Sequence, residues 1–502
     1  MASTCLAQDT ELNAMDFITL ALIFFTSLLV YAGYCLSNKT LNVPPCPVRP
    51  LPLVGHLLAL KTDRRPKFKQ WREQCGDMFS VYLGSQLLVV INDFQLIKET
   101  FVKRADEFSD RPVSFLDKMT GQQGRGIVMN SGHVWKEQRS VALSILRKFG
   151  FGKNVLAERV QEEVSHYLDY LSSCDGNPVD IKKITTESTA NIICSILTGK
   201  RYEYTHPTFQ KLIMEIERYF ISNKQDATIT CFPFLKYFPG HTNMAKNMDY
   251  ILKILKEFIV KSKDKDPEDN FIASYVTQKD SRIASGEATT MDEINLLRSV
   301  LDLFVAGTET TSTTICWFVL YMLNYPQVQK KIFDEINTQI GVARVPSIQD
   351  RPKLVYLNAA IKETQRFASI VPQSVIRSCS KTLTIRNYTI PEGSLIVPNL
   401  DSVLLDKKIW GSDADVFNPD RFIDAKGQLK KPEEFIPFGV GRRVCLGESM
   451  AKTELFLYLS SLIQRFHLLP VHPDQPPPMD YIYGITMIPK SYQSKLIERA
   501  AI

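Results

Sequence analysis

The 502-residue sequence predicts a mainly α-helical protein with a small β portion, carried behind an N-terminal transmembrane helix. Three observations support this. Phe17 to Leu36 is a run of twenty residues without a charge, long enough to cross about 30 Å of hydrocarbon as a helix. Two long stretches, Thr290 to about Asn324 and Glu448 to Phe466, repeat their apolar residues with helical spacing. Strand signals are confined to short pieces, Met78 to Asn92 around Gly84-Ser85, and Thr382 to Val397 with a turn at Pro391-Glu-Gly393.

Composition bounds the function classes. An apolar content of 44% with 23% charge describes a globular chain with a substantial core, long enough for one large domain or several. A net charge of +6 is far short of a nucleic-acid-binding chain, so no nucleic acid is expected as a partner. A basic patch for an acidic protein or a membrane surface and an evenly solvated surface both stay open. The ten cysteines form no C-x-x-C pair, which suggests neither a zinc site nor a disulfide framework and fits a reducing compartment.

Residues 1–16 carry Asp9, Glu11 and Asp16 but no Lys or Arg, whereas Lys39, Arg49, Lys61, Arg64 and Arg65 follow the uncharged run. The positive-inside bias leaves 1–16 as a short lumenal N-terminus and 17–36 as the anchor, with all that follows in the cytosol. A missing basic n-region and cleavage site argue against a removed signal peptide. Residues 37–55 hold Val43-Pro-Pro-Cys-Pro-Val-Arg-Pro-Leu-Pro-Leu-Val-Gly55, a stiff Pro-rich hinge, and 56–502 form the body. Arg111 to Gly126 shows no period and reads as a loop. Trp135 and Arg139 share a helix face at i and i+4, where both can donate to one carboxylate, although such pairs are ordinarily core edge and surface. The aromatic connector 231–240 is either buried core or a segment that dips into the membrane.

Thr290-Met-Asp-Glu293 has capping-box spacing and opens the longest helix. Its middle, Leu301-Asp-Leu-Phe-Val-Ala-Gly-Thr-Glu-Thr-Thr311, sets a Gly and several polar side chains in an apolar helix, a conflict that tends to mark function. The Thr310 hydroxyl can reach the Ala306 carbonyl and distort the helix, and the freed groups with Glu309 then hold water and relay protons.

Phe438-Gly-Val-Gly-Arg-Arg-Val-Cys-Leu-Gly447 places Cys445 in a glycine-bounded loop before a helix, where the dipole and free N–H groups favour a thiolate. Gly441 and Gly447 permit a sharp turn and close approach to a flat ligand. Phe438 can shield the sulfur, and Arg443 can meet a carboxylate. Such a thiolate suits an iron centre, while a lone cysteine is more often a buried structural residue.

The pattern Phe-x-x-Gly-x-Arg-x-Cys-x-Gly fixes five positions, and through it the chain resembles the cytochrome P-450 family of haem-thiolate monooxygenases. Ala306-Gly-Thr-Glu-Thr-Thr311 resembles the family's oxygen-binding motif. Trp135-Lys-Glu-Gln-Arg139, the segment 147–153 and the connector 231–240 are similar to animal microsomal members that oxidise drugs, fatty acids and steroids.

The resemblance implies a haem-thiolate fold with haem b held by Cys445. Trp135, Arg139, Ala306, Arg377, Phe438, Arg443 and Gly447 would contact the haem, and Thr310 and Glu309 would serve catalysis, with room above the iron at Ala306 and Gly307. It further implies a buried cluster of Glu363, Arg366 and Arg421, and pocket walls at Ile370 to Ile376 and Tyr483 to Ile485. One oxygen atom would enter a lipophilic small molecule. Electrons would come from NADPH through a flavoprotein reductase met by Arg442, Arg147 and Lys148, on the cytosolic side of the endoplasmic reticulum membrane. An isomerase or dehydratase acting on fatty-acid hydroperoxides, and a non-catalytic membrane-tethered haem protein, are the alternatives on the same fold. The substrate is not legible, because selectivity depends on side chains from several separated segments.

Overall fold

A computed structural model describes residues 18–31, 33, 41–150, 154–222, 232 and 242–499. Its longer helices are α1 (Arg65–Cys75), α2 (Gly132–Lys148), α3 (Asn154–Ser173), α4 (Ile181–Thr198), α5 (Pro207–Ser222) and α6 (Thr242–Ser262). They continue with α7 (Phe271–Ala284), α8 (Glu293–Asn324), α9 (Pro326–Gln339), α10 (Val355–Ala368) and α11 (Glu448–Arg465). The strands are short: β1 (Met78–Leu83), β2 (Gln86–Ile91), β3 (Arg377–Ser378), β4 (Leu383–Ile385) and β5 (Tyr388–Ile390). Five more follow, β6 (Leu395–Pro398), β7 (Phe466–Pro470), β8 (Tyr481–Tyr483), β9 (Met487–Pro489) and β10 (Ser494–Glu498). The mainly helical body with a small β portion is the expected one.

At the N-terminus, residues 18–31 are helical with their apolar side chains exposed. Among the described residues no helix is long and apolar enough to cross a membrane. Phe17, Ala32 and 34–36 of the expected span, and most of the aromatic connector 231–240, lie outside the described residues.

Helix α8 is apolar nearly all round and therefore buried along most of its length. Its start differs from the expected capping box. Asp292 is the N-cap, accepting the Asn295 N–H at 2.6 Å. The Thr290 N–H and hydroxyl instead donate to the Glu137 carboxylate of α2, at 2.8 and 2.6 Å. A partner across the fold thus takes the threonine, and the shorter acid two residues on caps the helix.

The hairpin β1–β2 turns at Gly84-Ser85, where Gly84 has φ +61°, the sign such a tight turn requires. Strand order in the sheet is β1-β2-β6-β3, with β6 parallel to β2. Because side chains alternate along a strand, Leu88 and Val90 pack with Phe68 and Trp71 of α1. Leu87, Val89 and Ile91 join a second core with Phe101, Phe108 and Ile396. Phe68 and Trp71 meet Phe79 edge to face at 5.6 and 6.0 Å, and each fully buried ring contributes about 1.5–3 kcal/mol. Segment 111–126 departs from a plain loop: Ser114 caps a one-turn helix, Phe115–Met119. Helix α11 passes directly into β7, which pairs antiparallel with β10.

The buried cluster forms as expected. Glu363 and Arg366, both 0% exposed, pair at 2.7 Å, and Arg421 reaches the same carboxylate at 3.0 Å. Arg366 also donates to the Leu404 and Ala414 carbonyls, and Arg421 to those of Trp410, Asp413 and Val416. A buried charge is tolerable when its donors are so filled. Removing the acid by Glu363→Ala leaves the Arg366 guanidinium uncompensated, while Arg421 keeps Asp413 at 3.1 Å. The change is expected to cost about 3–5 kcal/mol and to lower the thermal midpoint, read by circular dichroism.

Candidate active site

The cysteine loop is shaped by its backbone. Gly441 has φ +76°, and a Cβ there would stand 1.8 Å from the Phe101 carbonyl oxygen. Glycine is therefore required by the neighbouring chain, and not by a ligand as the sequence suggested. Gly447 is different: its φ is −90° and a Cβ would meet nothing within 4 Å, so the space beside it is open. The Cys445 N–H donates to the Phe438 carbonyl at 3.0 Å, and the Phe438 ring lies half-buried under Lys452. Cys445 is accessible by area although its sulfur lies deep among protein atoms, the combination an interior cleft produces. Burial pushes its thiol pKa up, and the Gly447 N–H offsets this only in part. The expected preference for thiolate from the helix start is thus outweighed by burial.

Beside this loop four arginines converge. Arg443 does not present an open fork for a carboxylate: it donates to the carbonyls of Ser109 at 2.8 Å, Ile127 at 3.3 Å and Asn130, and stacks over Trp135 at 3.6 Å. Arg139 donates to the Val444 carbonyl at 2.7 Å, next to the cysteine. Arg111, not anticipated from the sequence, is taken up by the carbonyls of Val128, Val375 and Ile376. Arg377 spends one nitrogen on the Val440 carbonyl at 3.2 Å. Burial lowers the pKa of Arg111, Arg377 and Arg443, the last two to about 10 and about 9, and mutual repulsion lowers Arg111 and Arg443 further. Nε and Nη1 of Arg377 and Nε1 of Trp135 are buried without a hydrogen-bond partner. Three unfilled donors in a positive field fit the carboxylates of a bound group.

Helix α8 is tied to the cysteine loop through Ile127, whose N–H donates to Asp302 and whose carbonyl accepts from Arg443. Ala306 is exposed although Phe304 and Thr308, two residues to either side, are buried. The Thr310 hydroxyl donates to the Ala306 carbonyl at 2.8 Å, as expected, yet α8 runs on as unbroken α-helix, so the bond frees no backbone group. Gly307 serves packing and leaves no room for a ligand: a Cβ would lie 2.3 Å from Cδ1 of Ile193 on α4. Glu309 is buried and accepts the Thr313 hydroxyl at 3.2 Å, while its Oε2 has no partner. Burial pushes its pKa up to about 7; Lys182 opposes and Glu217 adds to the rise. Glu454 on α11 is a second buried acid, accepting the Thr311 hydroxyl at 2.9 Å with its pKa pushed by burial up to about 8.

A further device ties the 111–128 segment over α8. Arg298 pairs with Asp117 at 2.5 Å and with Asp302 at 2.9 Å, and Asp302 also accepts the N–H groups of Ile127 and Val128. Two opposite charges four apart in an apolar helix were its visible signal. Of the expected pocket walls, Tyr483 donates to Gln373 Oε1 at 2.9 Å, bringing the C-terminal strands against the 370–376 segment.

An accessible cysteine whose loop is contacted by arginines, with buried unfilled donors on Arg377 and Trp135, suits a group carrying carboxylates and a thiolate-accepting metal. That makes this a helical cofactor protein of the haem-thiolate class. The family model described as Cytochrome P450 matches residues 44–496, and the chain belongs to the cytochrome P450 family. It is 38% identical over 487 residues to cytochrome P450 2B2 of Rattus norvegicus, covering 94% of this chain and 97% of that one. Against cytochrome P450 2J2 of Homo sapiens it is 36% identical over 475 residues, 93% of each. With cytochrome P450 2B4 of Oryctolagus cuniculus it shares 36% over 500 residues, 97% of this chain and 100% of the relative. The protein is accordingly a haem-thiolate monooxygenase that uses haem b and receives electrons through a reductase.

Gly441→Ala is expected to dislodge the cysteine loop, since both the positive φ and the Phe101 carbonyl forbid the methyl group. Haem content per chain, read by absorbance after purification, should fall steeply while helix content is kept.

Proposed function

We propose that Cys445 would hold the iron of haem b through its sulfur, that Trp135, Arg139 and Arg377 would hold its propionates, and that Thr310 and Glu309 would supply protons. The supporting observation is the set of buried, unfilled donors on Trp135 and Arg377 beside an accessible cysteine. Arg443 then acts by fixing segment 109–130 and the Trp135 ring, while Phe438 and the open side of Gly447 border the sulfur. When bound, the haem supplies dioxygen binding, with thiolate electron density favouring O–O cleavage.

The Thr310 hydroxyl, half-buried and next to exposed Ala306, orients a proton donor in the space above the cysteine. Glu309 points away from that space, toward Thr313, so its proton reaches Thr310 through water. Steroid, fatty acid and foreign compound are the lipophilic substrate classes proposed, one oxygen atom entering the substrate.

Supported by the exposed apolar helix at 18–31 and the basic residues behind it, the proposal includes an endoplasmic reticulum anchor at 17–36 with the body in the cytosol. Exposed Arg147 and Lys148 at the end of α2 and exposed Arg442 are proposed contacts for the NADPH-dependent flavoprotein reductase.

Cys445→Ser should abolish the red-shifted absorbance of the reduced carbonyl complex; a band that persists would overturn the ligand assignment. The fraction of Glu309 holding its proton falls as pH rises through about 7. Product formed per NADPH consumed should therefore decline across that range, with peroxide rising in its place, and Glu309→Gln should flatten the dependence.

A further inference from the structure

We propose that the ion pair Lys182–Glu217 controls proton exchange at Glu309 and forms the solvent end of its proton route. The inference rests on the reading of Glu309 as a proton donor. Helix α4 lies along α8, fixed where the Thr189 hydroxyl donates to the Thr308 carbonyl at 3.1 Å and where Ile193 fills the notch at Gly307. Two turns back from Thr189, at the start of α4, stands Lys182. Glu309 is turned toward that end of α4 by its bond to Thr313, and its second oxygen is buried and unpartnered.

Lys182 pairs with Glu217 of α5, and the two side chains are 20% and 36% exposed. The pair thus connects a 1%-exposed carboxyl to the surface. Around this part of α8 the other titratable groups among the described residues include Cys316 on α8 itself, Tyr492, whose hydroxyl donates to the Cys316 carbonyl, Tyr167 on α3, Asp180 before α4, and Glu454 on α11, which accepts the Thr311 hydroxyl. Among the described residues, Lys182 and Glu217 are the charged groups that act on Glu309, and with opposite sign.

The step involves no redox change. The Glu309 carboxylic acid gives its proton up inward, and the carboxylate so formed takes up a proton from surface water. The Lys182 cation favours the ionised carboxyl, Glu217 favours the protonated one, and the pair balances them so that both states are reached near neutral pH.

The test uses the full-length, haem-loaded protein in bilayers. Infrared difference spectra follow the protonated-carboxyl band against pH, with the band assigned to Glu309 by its loss in Glu309→Gln. Lys182→Met should move the titration of that band to higher pH by about one unit, and Glu217→Gln should move it lower. The double variant should fall between them, and Lys182→Arg should resemble the parent.

The pH profile of product against peroxide should move in the same directions, with a larger solvent deuterium effect in Lys182→Met. If both single variants shift the band the same way, or neither shifts it, the pair is only a brace between α4 and α5 and the inference fails. If Glu309→Gln leaves the product-to-peroxide profile unchanged, the donor role of Glu309 fails instead, whatever the infrared shifts show.

Discussion

Positive charge buried without a matching acid is the constraint on which this molecule's arrangement depends. Arg111, Arg139, Arg377 and Arg443 converge within one region, and backbone carbonyls fill much of their donor capacity. Carbonyl dipoles can hold a guanidinium in place but do not neutralise it, so the region keeps a strong pull on anions. The cysteine loop, the 109–130 segment and the strand region around Val375 are all cross-linked through these four side chains. Cofactor binding and tertiary structure therefore draw on the same interactions.

Helix α8 works under a different constraint. It is long, apolar and buried, so each polar residue in it needs a local reason. Gly307 is small because Ile193 of α4 sits against it, and the Thr308 carbonyl takes a hydroxyl from the same helix. Thr310 satisfies its hydroxyl on its own helix, and Thr311 on Glu454. Glu309 keeps one carboxyl oxygen without a partner in a dry setting, where the Ser299 and Thr308 hydroxyls also lack one, and burial pushes the Glu309 pKa up to about 7. Conflict with local propensity is concentrated around the residue proposed as the proton donor.

Much of this was legible in the sequence, and what was missed has a common cause. The hairpin at Gly84-Ser85, the end of α8 at Asn324 and the Glu363–Arg366–Arg421 cluster follow from short-range patterns or from a motif carried by the family resemblance. The loop around Cys445 was legible as a site, but the reason for Gly441 was not, because the crowding atom belongs to Phe101. Thr290 had the right spacing to cap α8, yet Glu137, far away in sequence, took it. The three carbonyls on Arg443, the role of Arg111 and the partner of Lys182 likewise depend on contacts between distant segments. Spacing reveals what a segment can do alone, and only the fold decides which of several partners wins.

Ile127 deserves a last consequence. Its carbonyl is held by Arg443 on the cysteine loop, and the N–H of the same peptide group, that of Val128, is held by Asp302 on α8. A single peptide unit of fixed dimensions therefore acts as a gauge block between the two walls of the chamber. The chamber's height is inherited from covalent geometry, whereas its outline is left to the side chains that line it. Mutation of those lining residues can therefore exchange one oily guest for another while the ceiling stays at constant height.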